Sequence, residues 1–184
     1  MDSKLKYRLV HYLRNAFCYT NRMKDNQRLQ RLYDADQADR STKMIDWIKV
    51  TKRDTARQQK VAVMLEKDQV KTARDYYNAA MIFQHAIEIS GNTLAQRLAK
   101  KSMDMGEQKA KWLYAATTDR ILMRQNKKQK YGTQYTQKYV AGQDEQVERI
   151  FELYPCDERT TDEERKKFDV PTLEKAKKMA STLR

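Results

Sequence analysis

Three short segments carry side chains that a purely structural helix has little use for. The first, Phe83-Gln84-His85-Ala86, holds one of the 2 histidines in the chain. An imidazole titrating at about 6.5 is the ready proton donor and acceptor at neutral pH. His85 is therefore the candidate general acid/base, with Gln84 beside it as a ligand contact, and Asn78 and Glu88 fall on the helix face that could orient the ring. The second segment is Thr117-Thr118-Asp119-Arg120. Adjacent residues on a helix point in different directions, so Asp119 can orient a base or fix a loop. Arg120 can meanwhile grip a carboxylate or phosphate through two parallel hydrogen bonds. The third segment, Gln129-Lys130-Tyr131-Gly132-Thr133-Gln134, is dense in neutral hydrogen-bonding groups. Gln129, Tyr131, Thr133 and Gln134 suit a ligand with many polar atoms, and they equally suit a loop pinned by its own side chains. The segment lacks the glycine spacing and Lys-Ser/Thr pair of a phosphate-binding loop.

Each segment has a structural reading beside the chemical one. A lone histidine in an apolar stretch is commonly a satisfied core residue. An Asp-Arg pair commonly fixes helix register.

Taken in order, the segments form a pattern. The runs ARDYYNAAMIFQHA (73–86), LAQRLAKKSMDMGEQKAKWLYAATTDRILMRQ (94–125) and KKQKYGTQY (127–135) resemble a bacterial family of unknown function. Its signature is Q-H-A/G, later D-R, then Q-x-Y/F-G-T-Q. The resemblance reaches upstream to Asp36-Gln37 and Arg40 and downstream to Tyr154-Pro155 and Arg165, from roughly residue 30 to 180. Two departures stand out: Asn126 replaces a glycine that often precedes the third motif, and Asp169-Val170 replaces a later Gly-Leu. The resemblance implies an all-α fold and a shared polar site. It implies no particular reaction.

Composition bounds the rest. The chain has 184 residues, 38 Lys+Arg against 25 Asp+Glu and a net charge of +13. Its mean hydropathy is −0.99. With 4 Gly and 2 Pro, it has little of the turn chemistry that an all-β chain needs every 8–12 residues or so. Residues 1–74 carry a net +9 and 75–143 a net +6, 144–169 reverse to −5, and 170–184 return to +3. Acids are interspersed among the bases, as on solvated helix faces. The N-terminus opens with an acid and no apolar run approaches signal-peptide or membrane-span length. Cys18 and Cys156 are too few and too far apart for a disulfide scaffold or a CxxC metal unit. The expectation is a cytoplasmic protein without metal, cofactor or membrane segment.

Helical periodicity places the elements that must hold these segments. Helices are expected over 3–20 (an N-terminal extension, 1–24, outside the resemblance) and 25–39. Others are expected from Ser41 or Thr42 through Ile48, over 54–67, and over 73–90, capped by Thr72 and stopped by Ser90-Gly91-Asn92. Thr93 caps the next, which ends at Gly106, and another runs over 107–125. Residues 126–143 read as a loop, 143–152 as a short acidic helix broken by Tyr154-Pro155, and 172–182 as the last helix, after a turn capped by Thr161. The small residues Ala95, Leu98, Ala99, Gly106 and Ala110 have the spacing of a Sel1-like or tetratricopeptide helix pair. The whole, 1–184, is read as one compact all-α domain of seven to nine helices.

Three functions are compatible with this. The leading one is a small-molecule site for an unidentified anionic ligand, with His85 as acid/base, Asp119 as its orienter and Arg120, Arg40 and Arg165 as anion contacts. It requires His85, Asp119 and the 131–134 loop to share one cavity. The alternative is a helical module that binds a protein partner, its polar motifs structural. The third is nucleic-acid binding through the basic surface.

Overall fold

The computed structural model describes residues 23–42, 44–141 and 147–182. Within them are seven helices and one two-stranded sheet, so the fold is helical as expected. The helix expected over 3–20 lies outside the described residues. Among the described residues no helix is long and apolar enough to cross a membrane.

Side-chain caps set most helix starts. Helix α1, Gln27–Ala38, begins where the Asn26 side chain accepts from the amides of Arg28 and Leu29. Helix α2, Trp47–Glu66, is capped by Asp46. Helix α3, Ala73–Phe83, has a full capping box between Thr72 and Asp75, satisfying two otherwise orphaned amides reciprocally. Helix α4, Ile89–Asp104, stops before Gly106, whose φ of 99° is one that glycine adopts without strain. Helix α5, Lys109–Arg124, stops before Asn126 at φ 56°. The short helices α6, Asp162–Lys167, and α7, Leu173–Ala180, start at Thr161 and Thr172.

The core lies where α3, α4 and α5 pack along one another. Ile82, Leu98 and Leu113 meet Val61 and Met64 of α2 and Leu29 of α1 there. Ala95, Ala99 and Ala110 are fully buried, and such small residues let the α4 and α5 backbones approach closely. A second, smaller cluster on the other side of α5 joins Ala115 to Tyr131, Val170 and Phe168. Helix α5 is thus shared by two interiors.

Five expected elements differ from those observed. The separate helices over Ser41–Ile48 and 54–67 are one helix, α2. Its inward face runs Val50, Asp54, Arg57, Val61, Met64, and the two buried charges interrupt the apolar period that sequence reading follows. The loop expected over 126–143 and the acidic helix over 143–152 give way to strands β1, Tyr135–Ala141, and β2, Val147–Leu153. They pair antiparallel, with Tyr135 opposite Leu153 and Lys138 opposite Ile150. Pairing with partners 6 to 18 residues away overrides the local helical preference of the glutamates.

The helix expected over 73–90 ends at Phe83, so His85 sits in a turn rather than in a helix. Gly91 and Asn92 do not stop a helix but form the first turn of the next. A Cβ on Gly91 would lie 2.3 Å from the Ala86 Cβ, so the turn closes only over a glycine. Gly91→Ala is expected to destabilise the chain by about 1–3 kcal/mol through overpacking, although alanine is the better helix former. A thermal melt reads this directly, and an unchanged or raised Tm contradicts it.

Candidate functional site

The Gln84–Ala86 turn is held by side chains from two other helices. Arg120 Nη1 donates to the Gln84 carbonyl at 2.9 Å, and Arg124 donates to the Ala86 and Ile87 carbonyls. Asn92 Nδ2 donates to both Gln84 and Ala86 at 3.1 and 3.3 Å. These carbonyls belong to the turn that follows α3, where no helical amide can reach them.

The turn presents His85 to a cluster of charges on α1 and α2. Its Nε2 lies 3.6 Å from Asp36 Oδ2. The other Asp36 oxygen accepts from Arg40 Nη1 at 3.1 Å. Arg40 also grips Asp54, with Nη2 to Oδ2 at 2.6 Å, while Arg57 bridges Asp54 and Asp39 at 2.9 and 2.6 Å. Burial pushes the His85 pKa down to about 3, reinforced by the Arg40, Arg120 and Arg57 guanidinium groups against the opposing pull of Asp54. Burial likewise pushes Asp36 up to about 6, partly offset by Arg40. Of this pair the carboxyl, not the imidazole, takes up the first proton as pH falls.

Among the described residues, four buried side-chain atoms have no hydrogen-bond partner: His85 Nε2, Arg57 Nε, Arg120 Nε and Asn92 Oδ1. Three belong to groups that hold or face the turn, and Arg57 stands across the same cluster. Buried orphan polar atoms are rare in folded proteins, so their concentration at one turn is informative.

Asp119 faces elsewhere. One of its oxygens accepts from the amides of Lys130 and Tyr131 at 2.7 and 2.8 Å. The other accepts from the amide and hydroxyl of Thr133 at 3.0 and 2.8 Å. Burial raises its pKa, yet all four partners are donors, so the loop is built around the ionised carboxylate. Gln129 and Gln134 close the same loop. The Gln129 amide donates to the Gln134 and Tyr154 carbonyls and accepts from the Gln134 amide, and Gln134 donates to the Ala116 carbonyl. Tyr131 packs on Phe168 with ring centroids 4.9 Å apart. Arg165, 1% exposed, donates to the Tyr131 and Thr160 carbonyls and pairs with Asp162.

The ten residues read from the sequence therefore divide. Gln84, His85, Arg40 and Arg120 meet at the turn. Asp119, Gln129, Tyr131, Thr133, Gln134 and Arg165 form a closed network on another face of α5, and no hydrogen bond or ion pair joins Asp119 to His85 among the described residues. Asn78 donates to Gln30 and Glu88 is exposed, so neither orients the ring. Asp36, Asp54 and Arg57 surround it instead. A partial signal for these three exists in the sequence: Asp54 and Arg57 stand as a pair between Val50 and Val61 in the α2 stripe, and Asp36 follows Leu32 and Tyr33 on one face of α1. The Asp119-Arg120 dipeptide is the hub, since Asp119 clamps the 130–133 loop and Arg120 the Gln84–Ala86 turn.

Searches against protein-family models, curated proteins and solved structures find no match to this chain.

Proposed function

We propose that the chain binds a small anionic molecule at the His85 turn. The observation that carries this reading is the set of orphan atoms: two guanidinium Nε–H groups and one imidazole nitrogen, all buried around the same turn. Arg40, Arg57 and Arg120 outnumber the acids facing His85, since Asp36 is half-neutralised near pH 6. A carboxylate or phosphate group would satisfy these donors and balance the charge. Bound there, it would also favour the protonated Asp36–His85 pair, so binding strengthens as pH falls. Because Asp119 and the 131–134 loop lie on another face of α5, the acid/base role that needed them beside His85 is given up, and binding alone is proposed.

A second reading, a helical module for a protein partner, draws on the closed Asp119 loop. Every polar group there is used internally, which is what scaffolding requires.

The test is a thermal-shift series with inorganic phosphate, acetate, citrate and short oligonucleotides on wild type, His85→Gln and Arg120→Gln. The expected result is stabilisation by one small anion, larger at pH 6 than at pH 8, tolerant of moderate salt and lost in both variants. Stabilisation by oligonucleotide alone, erased by salt, favours the basic surface instead. No shift in any arm favours the protein-partner module.

A further inference from the structure

We infer that the free edge of β2, facing α7, is a docking groove for an extended acidic peptide from another protein. The register determines which backbone groups are available. The Tyr154 amide donates to the Gln134 carbonyl at 3.0 Å, which continues the ladder that sets Thr136 opposite Glu152 and Lys138 opposite Ile150. Hydrogen-bonded pairs alternate in an antiparallel ladder. Glu152 and Ile150 therefore bond to β1, and Arg149, Phe151 and Leu153 turn their N–H and C=O groups outward. Among the described residues none of these three backbones has a hydrogen-bond partner.

A trough of about 740 Å³ runs beside this edge, its lining taking in every residue from Arg149 to Cys156. Leu173, Lys177 and Ala180 of α7 form the opposite wall. From Arg149 to Leu153 the edge spans roughly 14 Å at about 3.4 Å per residue, the length of a short added strand. A two-stranded ribbon is the least stable sheet, and a third strand would complete it by main-chain hydrogen bonding.

Charge selects the occupant. Glu152 is neutralised by Lys138 across the ladder. Arg149, whose guanidinium lies 5.5 Å from the Phe151 ring centroid, and Lys177 have no ion pair among the described residues. Glu158 at one end is the opposing charge. Among the described residues the two cations outnumber the one unpaired acid lining the trough, a surface that suits apolar residues alternating with Asp or Glu.

The experiment uses the full chain, amide-resolved NMR and two synthetic seven-residue peptides, one alternating Val with Glu and the other Val with Lys. The Val–Glu peptide is expected to protect the amides of Arg149, Phe151 and Leu153 from exchange. It should bind at least tenfold tighter than the Val–Lys peptide and lose that preference in the Arg149→Gln/Lys177→Gln double variant. Phe151→Pro removes one outward amide while sparing the bonds to β1, and should weaken the Val–Glu peptide as well. Equal binding of both peptides, or perturbation confined to other surfaces, overturns the proposal. Edge amides already protected in the free chain overturn it too. Protection that depends on protein concentration then identifies a second copy as the occupant, and protection independent of concentration identifies a segment of the same chain.

Discussion

Asp119→Ala lowers the stability of the chain by about 3–5 kcal/mol, the range for removing one partner of a buried charged network. The carboxylate is fully buried and accepts from three backbone amides and one hydroxyl. Truncation leaves the amides of Lys130, Tyr131 and Thr133 without partners, and each such loss costs about 1–3 kcal/mol. Asp119→Asn is expected to cost less. One oxygen can keep the Lys130 and Tyr131 amides, but the new NH2 group then faces the Thr133 amide donor to donor. Urea denaturation of the two variants gives the order and size. A loss under 1 kcal/mol in Asp119→Ala would mean that the 130–133 loop is held by Gln129, Gln134 and Arg165 without it. The same variants separate scaffold from site: if the anion site lies at His85, Asp119→Asn retains the ligand-induced shift whenever it is folded, whereas Arg120→Gln loses it.

The second large effect is a pair of opposed pH dependences. Asp36 rises from 3.8 to about 6 on folding, so between those values the folded chain binds more protons than the unfolded one. Stability from this group is complete below about 3.8 and falls as pH rises through 6. His85 falls from 6.5 to about 3, so the unfolded chain binds the extra proton. Its contribution is complete above 6.5 and is lost as pH falls toward 3. In wild type the two slopes largely cancel between pH 4 and 6.

Single substitutions expose them. In His85→Gln, stability relative to wild type declines with rising pH from pH 4 to pH 6.5, by at most about 3.4 kcal/mol, since about 2.5 pH units of the interval from about 3 to 6.5 fall in that window at about 1.36 kcal/mol per unit. In Asp36→Asn, the remaining His85 term makes stability climb with pH, with a relative gain of at most about 3 kcal/mol from pH 4 to 6. Urea titrations at half-unit steps from pH 3.5 to 7 measure both. An imidazole that titrates near 6.5 by NMR in the folded wild type contradicts the assignment, because it would place His85 in water and away from Arg40 and Arg120.

Much of the architecture is readable from the chain. Thr72 with Asp75, Thr161 and Gly106 mark helix ends through chemistry confined to one turn, and local chemistry of that kind is written in adjacent residues. The core faces of α3, α4 and α5 follow from apolar spacing for the same reason. The helical class follows from 4 Gly and 2 Pro in 184 residues.

The parts that only the tertiary structure decides depend on partners distant in the chain. The chain leaves the helix after Phe83 for a turn whose Gln84 and Ala86 carbonyls are held by Asn92, Arg120 and Arg124, and no residue near 83 announces this. Residues 147–153 form a strand because 135–141 lie opposite. Asp119 and Arg120 are neighbours in sequence, but the helical turn between them sends one to the 130–133 loop and the other to the His85 turn. His85 itself was legible as a residue that could do chemistry. Its neighbours Asp36, Asp54 and Arg57 come from helices some thirty to fifty residues earlier, and only packing α1 and α2 against α3 brings their charges to the imidazole and moves its proton affinity.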